Sequence, residues 1–384
     1  MIYFDNAATT FPKPPQVIWA TRNAMSEYGA NPGRAGHALS IRTAEAVFDA
    51  RTKCAEFFGA EVENTMFTLN CTFALNMAIK GVSAPGSHYI ISDLEHNAVA
   101  RPVHAISKSS GITYSIAKTF DDDSATVKSF ESLITAKTKA IACTAASNVT
   151  GKILPIKKLG ELCKNRGICF ILDAAQGGGV IPLKLSDGVN IICTSGHKGL
   201  YGTMGTGLLI TDGKYMLKTY VEGGTGSNSR NLEQPDNLPD RFESGTINTP
   251  GVMGLAAGID FVNRSGMERI HNHERKLCEL FIKEVKDVKN VHLPTARYWG
   301  ENANRHSVLP LVPFNIGNLE SSDTTKLLSD AGLCLRGGLH CSFLAHKKIG
   351  TLEVGAARFA PSAFNTKKEV MALVRQVRRI AEKQ

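Results

Sequence analysis

The sequence predicts an α/β fold: a large domain built on a mainly parallel sheet between helices, then a smaller α+β domain at the C-terminus. Three observations carry this. Strand-like and helix-like patterns alternate through the middle of the chain. Three runs there, Lys139–Thr144, Ile168–Leu172 and Val189–Thr194, are apolar at successive positions, as strands buried on both faces are. After about Pro250 the pattern changes to long helices and scattered short strands. The expected domains are residues 15–250 and residues 251–384, with residues 1–14 joining the second.

The elements follow in order. Thr43–Phe58 has helical composition, Thr65–Leu69 reads as a strand, Phe73–Lys80 as a helix and His88–Ser92 as a strand. Pro155–Asn165, between the first two central strands, is amphipathic and helical, and Gly205–Thr211 is a further strand. Val252–Val285 is helical with a break near Ser265-Gly266. Strands are expected at Leu309–Ile316, around Leu333–Arg336 and around Glu353–Phe359, with helices at Ser322–Ala331 and from Thr366 onward.

Composition narrows the function. The 384 residues are 43% hydrophobic and 21% charged, which is ordinary globular usage. No apolar run approaches the roughly 18 residues of a membrane span. The N-terminus lacks the pattern of a secretory signal, so a cytoplasmic protein is expected. Nine cysteines, an odd number without a CxxC pair, argue against a disulfide framework or a zinc ribbon. The net charge of +9 comes without a block of like charges or a nucleic-acid module, so no nucleic acid is expected. His271, His273 and Glu274 resemble a metal cluster, but helix positions i and i+2 point apart, so no metal site is expected. A dinucleotide site lacks its GxGxxG after a first strand.

Polar residues gather where a site would lie. Ser147-Asn148 follows the first central strand, Asp173 to Gln176 the second, and Ser195 to Lys198 the third. Ligands of open parallel sheets bind beyond the carboxyl ends of strands. One such cluster is an ordinary cap or turn; three on one edge suggest a site. A lysine amine, a carboxylate, an Asn/Gln pair and small hydroxyls suit pyridoxal 5'-phosphate. The amine forms a Schiff base, and the carboxylate keeps the pyridine nitrogen protonated. A phosphate seat is expected where Cys71-Thr72 leads into a helix, because a helix N-terminus offers free N–H groups. Asn70 or Thr72 would serve equally as a plain N-cap. The Gly-rich run Glu222–Ser227 is a weaker phosphate candidate.

These segments resemble the cysteine desulfurases and related lyases of the class V aminotransferase group, pyridoxal-phosphate enzymes of fold type I. The resemblance runs along nearly the whole chain, through YFDNAATT, ANPGRAGHALS, FTLNCTFALN, LEHNA, SNVTG, DAAQ, SGHKGLYG, RFESGTINTP, LRGGLHC and ARFAPSAFNT. It implies an aspartate aminotransferase-like large domain with a seven-stranded sheet. It implies that Lys198 carries the cofactor, that Asp173 pairs with its pyridine nitrogen, and that Gln176 and Asn148 contact its ring oxygen. His96 would stack on the ring and relay protons. Cys71, Thr72, Ser195 and His197 would hold the phosphate. Thr225 would reach the phosphate of a neighbouring subunit, which implies a homodimer with shared sites. Arg358, helped by Asn31, would clamp the substrate carboxylate, a task that suits a guanidinium fork.

Arg336 to Cys341 resembles the family's mobile catalytic loop in its short, group II form, carried by the C-terminal domain. The resemblance implies that L-cysteine becomes L-alanine while its sulfur passes to Cys341 as a persulfide, for delivery to a sulfur-acceptor protein. L-selenocysteine would cleave analogously. His340 and nearby cations are candidates to favour the reactive thiolate. Two departures stand out: many short-loop relatives carry a second histidine where this chain has Leu339, and GRAGH replaces the commoner HRG-type start of the substrate loop. Two other readings remain. One is a class V aminotransferase or β-lyase without a persulfide step. The other is a non-catalytic regulator or sulfur-carrier scaffold that binds the cofactor.

Overall fold

The computed structural model describes residues 1–33, 36–227, 229–299 and 307–384. After a short β1 (Ile2–Tyr3), the strands of the main sheet are β2 (Thr65–Thr68), β3 (His88–Ser92), β4 (Thr113–Ala117), β5 (Thr138–Thr144), β6 (Cys169–Asp173), β7 (Ile191–Ser195) and β8 (Gly207–Thr211). They stand in the order β2-β8-β7-β6-β5-β3-β4. β8 runs antiparallel to both its neighbours, and every other pairing is parallel. The expected mainly parallel, seven-stranded sheet is therefore present.

The three apolar runs are its centre. Successive side chains of a strand point to opposite faces. Ile141, Cys143, Phe170, Leu172 and Ile192 enter one core, while Ala140, Ala142, Cys169, Ile171 and Ile191 enter the other. Helices cover both faces: α1 (Pro15–Glu27), α2 (Ala38–Phe58), α3 (Cys71–Val82), α4 (Asn97–Ser109), α5 (Asp123–Glu131), α6 (Ile156–Arg166) and α7 (Thr249–Ser265). α3 starts at Cys71, ahead of the expected Phe73, because Asn70 caps it by accepting from the Phe73 N–H at 2.9 Å.

Gly266, at φ 81°, breaks α7 from α8 (Met267–Val285), as the sequence suggested. Beyond it lie β9 (Val291–His292), β10 (Val312–Ile316), α9 (Ser321–Asp330), β11 (Leu333–Cys334), α10 (Phe343–Ile349), β12 (Ala357–Phe359) and α11 (Lys367–Ala381). β9, β10 and β12 form a small antiparallel sheet. Its core gathers Phe281, Phe314, Phe359 and Val374 with Phe4 from the N-terminus, and β1 pairs with β11. β12 is shorter than the expected strand because Gly355 turns in the left-handed region at φ 66°.

α1, α4, β4, α5 and α10 had no clear signal. α1 leaves Ile18, Trp19 and Met25 exposed, α4 contains Pro102, and β4 is an edge strand with mostly uncovered positions. No helix among the described residues is long and apolar enough to cross a membrane.

Candidate active site

Thr144, Asp173 and Ser195 are the last residues of β5, β6 and β7, and Thr144 lies opposite Asp173 in register. The loops that follow bring Asn148, Gln176, His197 and Lys198 to the same edge. Cys71 and Thr72 arrive from the start of α3, and His96 from the N-cap of α4. All of these line one cavity.

Asp173 is 3% exposed. Its Oδ1 accepts from the Ala175 N–H at 2.9 Å and from the Cys71 thiol at 3.4 Å. Cys71 therefore faces the acid with its side chain. Burial pushes the Cys71 thiol well up, and the Asp173 charge adds to this, so it stays protonated. Lys198 stands in the cavity wall. Burial lowers its amine, against the opposing pull of the Asp173 carboxylate. Gln176 donates through Nε2 to the Ala7 carbonyl at 2.9 Å.

Two buried polar atoms beside Lys198, Ser195 Oγ and His197 Nδ1, have no partner among the described residues. Such groups are costly unless something satisfies them. Burial, with Lys198 and Lys13 nearby, brings His197 down to about 4, so its ring is neutral near pH 7. His96 is lowered to about 4 chiefly by burial, and its Nδ1 accepts from the Ala98 N–H at 3.0 Å.

Glu95, next to His96, is wholly buried. Its Oε1 accepts from the Ser92 hydroxyl and from the Thr144 N–H at 3.1 Å, which joins the ends of β3 and β5. Burial pushes it up to about 8, with Asp173 contributing. The sequence motif contained Glu95 but gave no hint of this role.

Arg358, 1% exposed, donates to Asp5 Oδ1 at 3.0 Å and to the Asn148 carbonyl at 2.9 Å, while its Nε has no partner among the described residues. Asp5 is the acid the sequence reading missed; only its place in YFDNAATT marked it. The Asn148 carboxamide turns to the Cys341 loop. Its Nδ2 donates to the His340 carbonyl at 2.8 Å, and its Oδ1 accepts from Ser342 Oγ at 2.6 Å.

The loop is tied to its neighbours by backbone and side-chain hydrogen bonds. The Cys341 carbonyl accepts from the Asn97 N–H at 2.8 Å, directly after His96, and Gly338, His340 and Cys341 all have positive φ. The Asn97 bond places the Cys341 backbone against the start of α4, whose N-cap His96 lines the cavity. Cys341 is exposed, and Arg336 Nη2 lies 3.7 Å from its sulfur. His340 is no cation: it is buried against His346, shares a 2.9 Å hydrogen bond with the Ala356 carbonyl, and is driven down to about 2 by burial. The positive charge beside Cys341 is Arg336.

Asn31 and Thr225 lie elsewhere. They line a second pocket with the buried Arg51–Glu243 ion pair. His273 bonds the Asn365 carbonyl at 2.9 Å and Glu274 meets Tyr201, so these two neighbours point to different partners.

The chain matches the model of the family described as Aminotransferase class-V over residues 2–373. It is 29% identical over 388 residues to a probable cysteine desulfurase of Methanothermobacter thermautotrophicus, a match covering 99% of this chain and 94% of that protein. It is 32% identical over 392 residues to a probable cysteine desulfurase of Mycolicibacterium paratuberculosis, where it spans 100% of this chain and 56% of that longer protein. Among solved structures, the apo structure of cysteine desulfurase from Thermococcus onnurineus NA1 matches with a TM-score of 0.90 and 27% identity, covering 100% of this chain and 95% of the other. Agreement of sequence and fold along almost the full length identifies the chain as a member of the class-V aminotransferase family.

Proposed function

We propose that this protein is a cysteine desulfurase that works with pyridoxal 5'-phosphate. The observation that carries the reading is an exposed thiol, Cys341, bonded through its backbone to Asn97, immediately beyond His96 of the Lys198 cavity. When bound, the cofactor supplies an aldehyde that captures amines and a ring that draws electrons from the substrate.

The residues fit that group. Burial lowers the Lys198 amine from its ordinary value, which favours the nucleophilic, neutral form over the ammonium. Cys71 and Ala175 engage Asp173 Oδ1 and leave Oδ2 for the pyridine nitrogen. The unpartnered Ser195 Oγ and His197 Nδ1, with Thr72 at the start of α3, suit the phosphate. Gln176 and His96 line the same cavity. Arg358 retains an unused Nε for the substrate carboxylate.

In the sulfur step the Cys341 thiolate forms a bond to the sulfur of L-cysteine, and the substrate C–S bond breaks. The electron pair stays on the substrate carbon, which gains a proton to become L-alanine. Cys341 is left as a persulfide, and the sum of atoms is L-cysteine plus thiol in, L-alanine plus persulfide out. Arg336 is placed to stabilise the attacking thiolate. L-selenocysteine fits the same geometry, and a sulfur-acceptor protein would take the product.

The Thr225 and Asn31 pocket lies beside Phe48, which with Ile41 is exposed on one face of α2. We infer a homodimer in which this pocket completes the partner's site. Residues 15–250 would form the cofactor-binding unit, and residues 251–384 with 1–14 the unit that brings Cys341. α7 is the seam, since it packs on the large core. Nine free thiols suit a reducing, cytoplasmic setting.

The test is to load the protein with cofactor, add L-cysteine, quantify alanine and weigh the Cys341 peptide. The reading expects alanine and a peptide heavier by one sulfur atom. Cys341→Ala should retain the cofactor absorbance and lose alanine formation. Turnover with a 2-oxo acid that survives Cys341→Ala would establish an aminotransferase instead.

A further inference from the structure

We propose that Tyr201 and Glu274 lock the turn carrying Lys198 onto the C-terminal part of the protein, which makes Tyr201 a positioning residue for that lysine. This rests on the reading of Lys198 as the cofactor anchor.

Lys198 is followed by a tight turn. The Tyr201 N–H donates to the Lys198 carbonyl at 2.8 Å, and Thr10 Oγ1 donates to the same carbonyl at 3.2 Å. Tyr201 has φ 56°, a conformation that costs energy for a bulky aromatic residue. Something outside the turn must hold it there. α7 presses on it backbone to backbone: a Cβ at Gly258 would come within 2.2 Å of the Leu200 carbonyl oxygen. The Tyr201 hydroxyl supplies the second hold. It donates to Glu274 Oε1 of α8 at 3.2 Å and accepts from the Ala363 N–H at 3.0 Å. The ring meets Phe261 and Phe364 edge-on.

One hydroxyl thus joins the Lys198 turn to α8 and to the segment that follows Arg358. Tyr201 is 2% exposed and Glu274 is 6% exposed, so water does not replace these bonds. Both residues also line a small cavity that Lys198 borders as well. The spacing between the amine that anchors the cofactor and the guanidinium that faces the substrate depends on this contact. A placement error of about 1 Å at a reacting centre lowers rates on the order of a hundredfold.

The experiment uses the full chain as Tyr201→Phe, Glu274→Ala and Glu274→Gln. In cofactor-free protein, hydrogen exchange of the Lys198 peptide is expected to quicken in Tyr201→Phe and Glu274→Ala. It should match wild type in Glu274→Gln, whose side-chain carbonyl still accepts from Tyr201. In loaded protein, the first two variants should shift the pH midpoint of the cofactor absorbance. They should also lower kcat by roughly tenfold or more with a much smaller change in KM, while Glu274→Gln rescues both. Wild-type exchange, absorbance and kcat in Tyr201→Phe overturn the proposal, even where the unfolding midpoint falls. So does a Glu274→Gln variant as impaired as Glu274→Ala. Should wild type neither take up cofactor nor form alanine, the desulfurase reading fails, and the exchange data alone decide this one.

Discussion

Asn148 and Ser342, 194 positions apart, share a 2.6 Å hydrogen bond, with the serine hydroxyl donating to the carboxamide oxygen. The other end of the carboxamide donates to the His340 carbonyl. Asn148 thus clasps the Cys341 loop on both sides while its own carbonyl accepts from Arg358. A single residue after β5 couples the thiol to the arginine.

Asn148→Ala should therefore act on the loop. It removes both carboxamide bonds in a buried place and leaves Ser342 Oγ only its longer 3.4 Å bond to the His340 carbonyl, at a cost of about 1–3 kcal/mol. Urea unfolding measures that loss, and hydrogen exchange should localise it to the peptide containing Cys341. Alanine formation should fall while cofactor absorbance stays. Unchanged exchange at that peptide would contradict the clasp.

Arg336→Ala should slow alkylation of Cys341 by iodoacetamide roughly two- to fivefold at low salt, the range of an exposed charge pair. High salt should shrink the difference, since mobile ions screen what the guanidinium provides. Arg336→Lys should keep part of the effect. Removing His340 should not mimic Arg336→Ala, because that ring is neutral.

Ser195→Ala removes a hydroxyl that has no partner among the described residues. Stability should change little, whereas affinity for pyridoxal phosphate should weaken about tenfold, the worth of one charged hydrogen bond. An absorbance titration reads this directly. A large loss of stability with intact affinity would argue for an internal partner instead.

Glu95 gives the pH prediction. Burial raises it from its ordinary 4.5 to about 8, so between those values the folded chain keeps a proton that the unfolded chain has released. Stability should therefore fall as pH rises through that window. Glu95→Gln, which cannot ionise, should flatten this slope in urea midpoints measured from about pH 5 to pH 8.

The parts of the fold that depend on burial were legible in the sequence. The middles of β5, β6 and β7 are covered on both faces, so they had to be apolar, and the polar residues that end them stood out at once. Lys198, Asp173, Gln176 and Ser195 were found that way. α1 and β4 escaped because they lie half uncovered, where composition is loosely constrained. The contacts that bind the loop and Arg358 join positions such as Asp5 and Arg358, 353 apart, which no local pattern encodes. The motif located the Cys341 loop but not the distant bonds that tie it to Asn148 and Asn97. Nor could it reveal that His340 is too deeply packed to carry charge.

All nine cysteines lie among the described residues. Seven are buried, Cys334 is partly covered, and Cys341 alone stands open to solvent. Packing raises Cys54 and Cys163 to about 12, which leaves them poor nucleophiles. A maleimide dye added in equal amount should accordingly mark one position in the untouched polypeptide, with no need to engineer away the others. Fluorescence from that handle would then report, in real time, what enters and leaves the mouth of the cavity.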